Sequence, residues 1–177
     1  MTEQELITAL QNQEPKAQRY LYERFGNRLL TLCLRYVKDQ AEAEDVLING
    51  FMKIFNSVAN FESKGSFEGW MKRIVVNEAL MQIRKKEPVH MSIDSEYDIF
   101  EADSRTDHDL DAQELMDLLN ELPSGYRTVF NLYAIEGYNH KEIGELLGIS
   151  EGASKSQLSK ARAALQRKVN QLTNALA

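Results

Sequence analysis

The sequence predicts an all-α protein of two small helical domains joined by an acidic flexible linker. Three observations carry this reading. Residues 1–86 place apolar side chains at helical spacing behind recognisable start signals, with no sustained alternation of the kind a strand requires. Residues 87–111 hold nine acidic residues, Pro88 and few large apolar ones, too little burial to offset the entropy of ordering. Residues 138–165 spell two short amphipathic helices around a Gly148-Ile149-Ser150 turn. The chain of 177 residues therefore divides into 1–86, 87–111 and 112–177.

Thr2 with Glu5 three residues on is a capping-box opening, and Pro15 suits the first turn of a second helix, where its missing N–H would be unbonded anyway. Cys33, the single cysteine, falls in the apolar run 29–34. It has no partner for an intramolecular disulfide and reads as a small buried hydrophobe in a reducing compartment. Asp39 and Glu42 open a third helix made one-sided by Leu47, Phe51, Ile54, Phe55 and Val58.

After a polar interruption at 60–66, a fourth helix spans Phe67–Lys86. With Ile74 as the reference direction, Phe67, Trp70 and Met81 point near it and Val76 and Ile83 almost opposite, so the helix is apolar on two sides. Between those sides runs a stripe of Ser66, Arg73, Asn77 and Arg84. Cations beside an amide suit phosphate positioning and base-edge contact, although a solvated face has the same composition. Phe61, Phe67 and Trp70 read either as walls of a base pocket or as core.

In the second half, Leu115, Leu118, Leu119 and Leu122 mark a helix that breaks at Pro123, and 126–135 reads as a further apolar helix ending at Gly137. Asn139 and Glu142 form a capping box, and Ile143, Leu146 and Leu147 supply the apolar face that follows. Gly148 can close that helix in the left-handed conformation, Ile149 can fill the corner and Ser150 can cap the next helix. On this last helix Ser154, Leu158, Ala161 and Leu165 share one face, with Ala153, Ser156, Lys160 and Arg167 roughly opposite. A small, basic outward face is what a major groove admits.

The net charge of -6 conceals an uneven distribution. Thirteen Lys and Arg face eleven Asp and Glu over 1–86, a balance of +2; one faces twelve over 87–123, giving -11; seven face four over 124–177, giving +3. Two mildly basic blocks flank an acidic segment, so the global charge does not exclude a nucleic-acid partner. No secretory signal or transmembrane-length apolar run occurs, which predicts a soluble, cytoplasmic protein without membrane insertion. His90, His108 and His140 read as solvated and lack a nucleophile at suggestive spacing, so no enzyme and no cofactor is expected. Asp103, Asp107, Asp109 and Asp111 lack the central Gly and terminal Glu of a calcium loop, and no metal site is expected.

The run FESKGSFEGWMKRIVVNEALMQIRKK resembles regions 2.3 and 2.4 of bacterial sigma factors of the extracytoplasmic-function group, and AEAEDVLINGFMKIF resembles their region 2.2. LPSGYRTVFNLYAIEGYNHKEIGELLGISEGASKSQLSKARAAL is similar to their region 4. The matches keep the family order and cover most of the chain outside the linker. The resemblance implies a transcription initiation factor that binds core RNA polymerase and directs it to promoter DNA. The third helix would dock on the beta-prime clamp helices through Asp45, Ile48, Asn49 and Met52, with the beta flap as a second polymerase contact. Phe61, Ser66, Arg73, Asn77 and Arg84 would melt and read the minus-10 element. Lys155, Ser156, Gln157, Lys160 and Arg162 would meet the minus-35 duplex. The resemblance also admits an anti-sigma factor as partner, and a linker that threads toward the polymerase cleft.

Three departures from the family pattern stand out. Ile48-Asn49 stands where a Gln-Glu or Gln-Asp pair is common, Met81 where an Asp is usual, and Gln157 where an Arg is usual. An amide at 157 favours adenine over the guanine that an Arg fork reads. The competing function is a self-sufficient dimeric helix-turn-helix repressor, whose first domain would sense a ligand or dimerise. A sensor needs a pocket with convergent polar groups, and the first domain offers a basic stripe instead.

Overall fold

The computed structural model describes residues 1–86 and 112–176, and among these every regular element is helical. The acidic segment, with His90, His108 and the aspartates at 103–111, lies outside the described residues. The chain forms two compact units, one on each side of that segment.

In the first unit, α1 (Glu3–Gln11) opens with the complete capping box: Glu5 N–H donates to Thr2 Oγ1 at 3.2 Å and Thr2 N–H to Glu5 Oε2 at 2.7 Å. Leu6, Ile7 and Leu10 are its buried side. Pro15 begins α2 (Pro15–Tyr36), and Asp39 caps α3 (Gln40–Ser57) by accepting from Glu42 N–H at 3.0 Å. Glu42 does not reach back to complete the box, because its carboxylate pairs with Lys86 at the end of α4 (Phe67–Lys86). A 3₁₀ turn, Val58–Asn60, follows α3.

Helices α2, α3 and α4 pack on one another, burying Leu21, Leu29 and Leu32 with Leu47, Phe51 and Ile54 and with Met71, Val75 and Ala79. Each of these side chains other than Ala79 contributes about 1.5–3 kcal/mol relative to exposure. Cys33 is fully buried here, and desolvation pushes its thiol up to about 12, so it stays a neutral hydrophobe. Gly50 lets α3 approach α4 closely: a Cβ at this position would lie 2.9 Å from Val75 Cγ2.

The two-sided reading of α4 requires correction. Its buried residues, from Phe67 through Met71, Val75 and Ala79 to Val76 and Leu80, form one continuous arc covering more than half the helix, with Val75 rather than Ile74 near its middle. Trp70 and Ile74 lie at the edge of this arc, and Met81 is exposed.

The second unit contains α5 (Ala112–Asn120), α6 (Ser124–Phe130), α7 (His140–Leu147) and α8 (Glu151–Leu176). Leu118, Leu119, Leu122 and Tyr126 close around Ala161, Ala164 and Leu165 of α8. The single apolar helix expected over 126–135 is not uniform. It is α-helical through Phe130 and then widens into a π turn, Asn131–Ile135, in which Glu136 N–H donates to Asn131 O at 2.9 Å. Apolar spacing over so few residues does not separate the two helix types, whose periods differ by less than one residue per turn. Gly137, at φ +80, ends the turn.

Candidate nucleic-acid interface

The turn between α7 and α8 is built by short-range bonds. Asn139 and Glu142 complete their capping box at 2.9 and 2.8 Å. Gly148 terminates α7 at φ +68, and Ile149 N–H donates to Gly144 O at 3.0 Å. A Cβ on Gly144 would lie only 2.7 Å from Ile149 O, so the chain turns back against a helical position that has room for glycine alone. Ser150 Oγ then accepts from Ala153 N–H at 3.0 Å to start α8.

On α8, Ser154 and Ala161 are fully buried, with Leu158 and Leu165 nearly so, as the spacing predicts. Lys155, Ser156 and Arg162 are exposed and Lys160 is half-buried. Lys155 pairs with Glu151 at 2.7 Å, and this hydrogen bond holds the Glu151 carboxyl below the usual carboxylate range. Arg162 lies over the Tyr133 ring at 5.7 Å.

Gln157 is a correction. The expectation placed it on the exposed reading surface, whereas it is only 8 % exposed and its Oε1 is buried with no hydrogen-bond partner. Its angular position, roughly 100° from Leu158 toward Ala161 and Ala164, lies inside the packed arc. The outward direction is occupied by Ser156, Ser159 and Ala163; Ser159, exposed between the basic flanks, was missed because a lone Ser on a long helix carries no sequence signal.

His140 is also corrected. It is half-buried rather than solvated, its ring stacked on Tyr133 at 4.5 Å and 19° with Nδ1 2.9 Å from Ser154 Oγ.

In the first unit, Ser66 caps α4 by accepting from Gly69 N–H at 3.2 Å, and Arg73, Asn77 and Arg84 are exposed along the predicted stripe. Arg73 and Asn77 make no hydrogen bond or ion pair among the described residues. Phe61 is nearly buried and forms a triangle with Phe67 and Trp70, centroids 5.2–5.5 Å apart. Phe67 is core, while Trp70 stays half-exposed, so the cluster offers an aromatic rim rather than an open cavity. Between Phe61 and Phe67 the loop backbone has positive φ at Ser63 and Gly65. On α3, Asp45, Ile48, Asn49 and Met52 are all exposed, with Ile48 and Met52 at 55 % beside Leu47 and Phe51 at 4 %. No group of three or more metal-ligating side chains occurs among the described residues, and none of their helices is long and apolar enough to cross a membrane.

A helix-turn-helix unit joined in one chain to a second, wholly helical unit is the architecture of a DNA-binding transcription factor. The chain belongs to the sigma-70 family, as a sigma factor of the extracytoplasmic-function type: the model of sigma-70 region 2 matches residues 21–88 and that of sigma-70 region 4 matches 112–165. It is 32% identical over 157 residues to the ECF RNA polymerase sigma factor SigE of Mycolicibacterium smegmatis, covering 82% of this chain and 59% of that one. It is 26% identical over 187 residues to the ECF RNA polymerase sigma-E factor of Haemophilus influenzae, covering 97% of each. Among solved structures, the fold matches CnrH in complex with the cytosolic domain of CnrY at TM-score 0.55, with 20% identity over 94% of this chain and 96% of that one. It also matches the sigma factor RpoE of Bartonella quintana in complex with the anti-sigma factor NepR at TM-score 0.56, with 23% identity over 86% and 96%.

Proposed function

We propose that this sigma factor docks on core RNA polymerase through the exposed α3 surface, opens the minus-10 element with α4 and its preceding loop, and reads the minus-35 duplex with α8. The observation that carries the reading is the coexistence on one chain of two kinds of surface. Ile48 and Met52 stand exposed one turn apart on a helix whose opposite face is fully packed, which suits a protein partner better than water. The stripe of Arg73, Asn77 and Arg84 and the outward face of α8 are polar and basic, which suits DNA.

At the minus-10 element the half-exposed Trp70 ring supplies a stacking surface for an unpaired base, while Arg73 and Arg84 hold the strand by its phosphates. Asp45 and Asn49 flank the apolar docking pair with polar groups. At the minus-35 element Lys155, Lys160 and Arg162 approach phosphate and Ser156 and Ser159 approach base edges, with the Gln157 amide withdrawn into the packed arc. Capture of DNA, without covalent chemistry, is the mechanism, and the site of action is the cytoplasm, where the polymerase works. The acidic segment separates the two readers, and the beta flap and an anti-sigma factor complete the partners proposed.

Run-off transcription with purified core polymerase on a promoter library tests this. The expected result is a single promoter class transcribed only when the chain is added. Tight operator binding by a dimer of the chain without polymerase, and no transcript, would favour the repressor instead.

A further inference from the structure

Three cations of α8 have different company. Lys155 is paired with Glu151, and Lys168 with Glu121. Arg162 makes no ion pair among the described residues; its guanidinium carbon lies over the Tyr133 ring, 5.7 Å from the centroid. The His140 ring lies nearly parallel to Tyr133 at 4.5 Å, and the fully buried Ser154 hydroxyl meets the edge of that ring, 2.9 Å from His140 Nδ1. Ser154 belongs to α8 and stands two turns before Arg162, so the stack leaves the reading helix at one point and returns to it at another.

We propose that Tyr133 and His140 form a stacked platform that positions Arg162 for a phosphate of the minus-35 duplex. A guanidinium stacked on a ring keeps its N–H donors in its own plane, at its edge. A carboxylate partner would occupy that donor edge; a ring leaves it open and still restricts the side chain. The platform is held by three elements: Tyr133 comes from the π turn, His140 from the first turn of α7 and Ser154 from α8. Tyr133 and His140 are positioning residues, since each acts through Arg162.

The inference rests on the proposed minus-35 reading, and the experiment separates the two. Holoenzyme affinity for a promoter template with a pre-melted minus-10 element and an intact minus-35 duplex is measured across a salt series. Arg162→Ala is expected to reduce the log–log salt slope by about 0.9, the value of one phosphate contact. Tyr133→Leu, which keeps apolar bulk but removes the π face, is expected to reduce the slope by the same amount, and to change affinity less than twofold when Arg162 is already Ala. Tyr133→Phe is expected to retain the wild-type slope, and His140→Ala, which removes only the ring stacked on Tyr133, to lose part of it. A packing role for Tyr133 would lower affinity equally with and without Arg162 and leave the slope unchanged, which would overturn the proposal. Should Tyr133→Leu fail to fold, His140→Ala decides: a wild-type slope there overturns the platform. If Arg162→Ala changes neither affinity nor slope, the phosphate contact itself is wrong and the platform falls with it.

Discussion

Glu151 and Lys155 stand one turn apart at the entrance to α8 and pair at 2.7 Å, so on the proposed minus-35 reading the pair limits the lysine charge offered to DNA. Because the folded-state pKa of Glu151 is lowered, the pair is intact above the usual carboxylate range and is lost as pH falls through the lowered value. On the proposed reading, the carboxylate at neutral pH therefore competes with phosphate for Lys155. Glu151→Gln should tighten minus-35 binding by the holoenzyme and steepen its salt dependence, measured by fluorescence anisotropy at two or more salt concentrations; an unchanged affinity would place Lys155 away from the backbone. Gln157 presents the opposite situation, a polar group turned inward with an unbonded Oε1. An unsatisfied buried polar atom costs about 1–3 kcal/mol, so Gln157→Leu should hold or raise the melting temperature of the second unit. It should also leave preference across single-base minus-35 variants unaltered. A shift in preference at one base pair would mean that the amide swings out to read it.

At the scale of elements, the α3–α4 crossing depends on Gly50. Gly50→Ala would drive a methyl to 2.9 Å from Val75 Cγ2, and Val75 is fully buried and β-branched, with no free rotation to yield. Overpacking of this kind costs about 1–3 kcal/mol, read as a lower melting temperature in circular dichroism; thermal stability equal to wild type would show that the crossing can widen without loss. What the sequence made legible follows the same division between near and far. The Thr2 and Asn139 capping boxes, the Asp39 cap, the start of α4 and the left-handed Gly148 are all fixed by residues within four positions of one another, and all were readable. The special status of Gly50 and Gly144, the inward turn of Gln157 and the stacking of His140 on Tyr133 depend on which surface the rest of the chain brings opposite. Helical periodicity reports the presence of an apolar face, but not the identity of its partner, and so the two-sided reading of α4 resolved into one wide arc only once α2 and α3 were in place.

For the whole molecule, charge decides how it meets DNA. Balances of +2 and +3 in the two flanking blocks neutralise few phosphates, and the -11 between them repels the duplex. The free chain should therefore bind promoter duplex no more tightly than a non-specific protein, with Kd on the order of 10⁻⁴–10⁻⁶ M at physiological salt, and gain sequence preference only with core polymerase. Electrophoretic mobility shift with and without polymerase checks this, and nanomolar specific binding by the chain alone would refute it. Along α8, Leu158, Ala161, Ala164 and Leu165 hold the unit together, while Ser156, Ser159 and Ala163 point away from all of that packing. Packed and outward positions are interleaved on one helix yet belong to different side chains. On the proposed minus-35 reading, a lineage carrying this helix can drift from one promoter vocabulary to another by single substitutions on the outward face, each a viable intermediate, without passing through an unfolded ancestor.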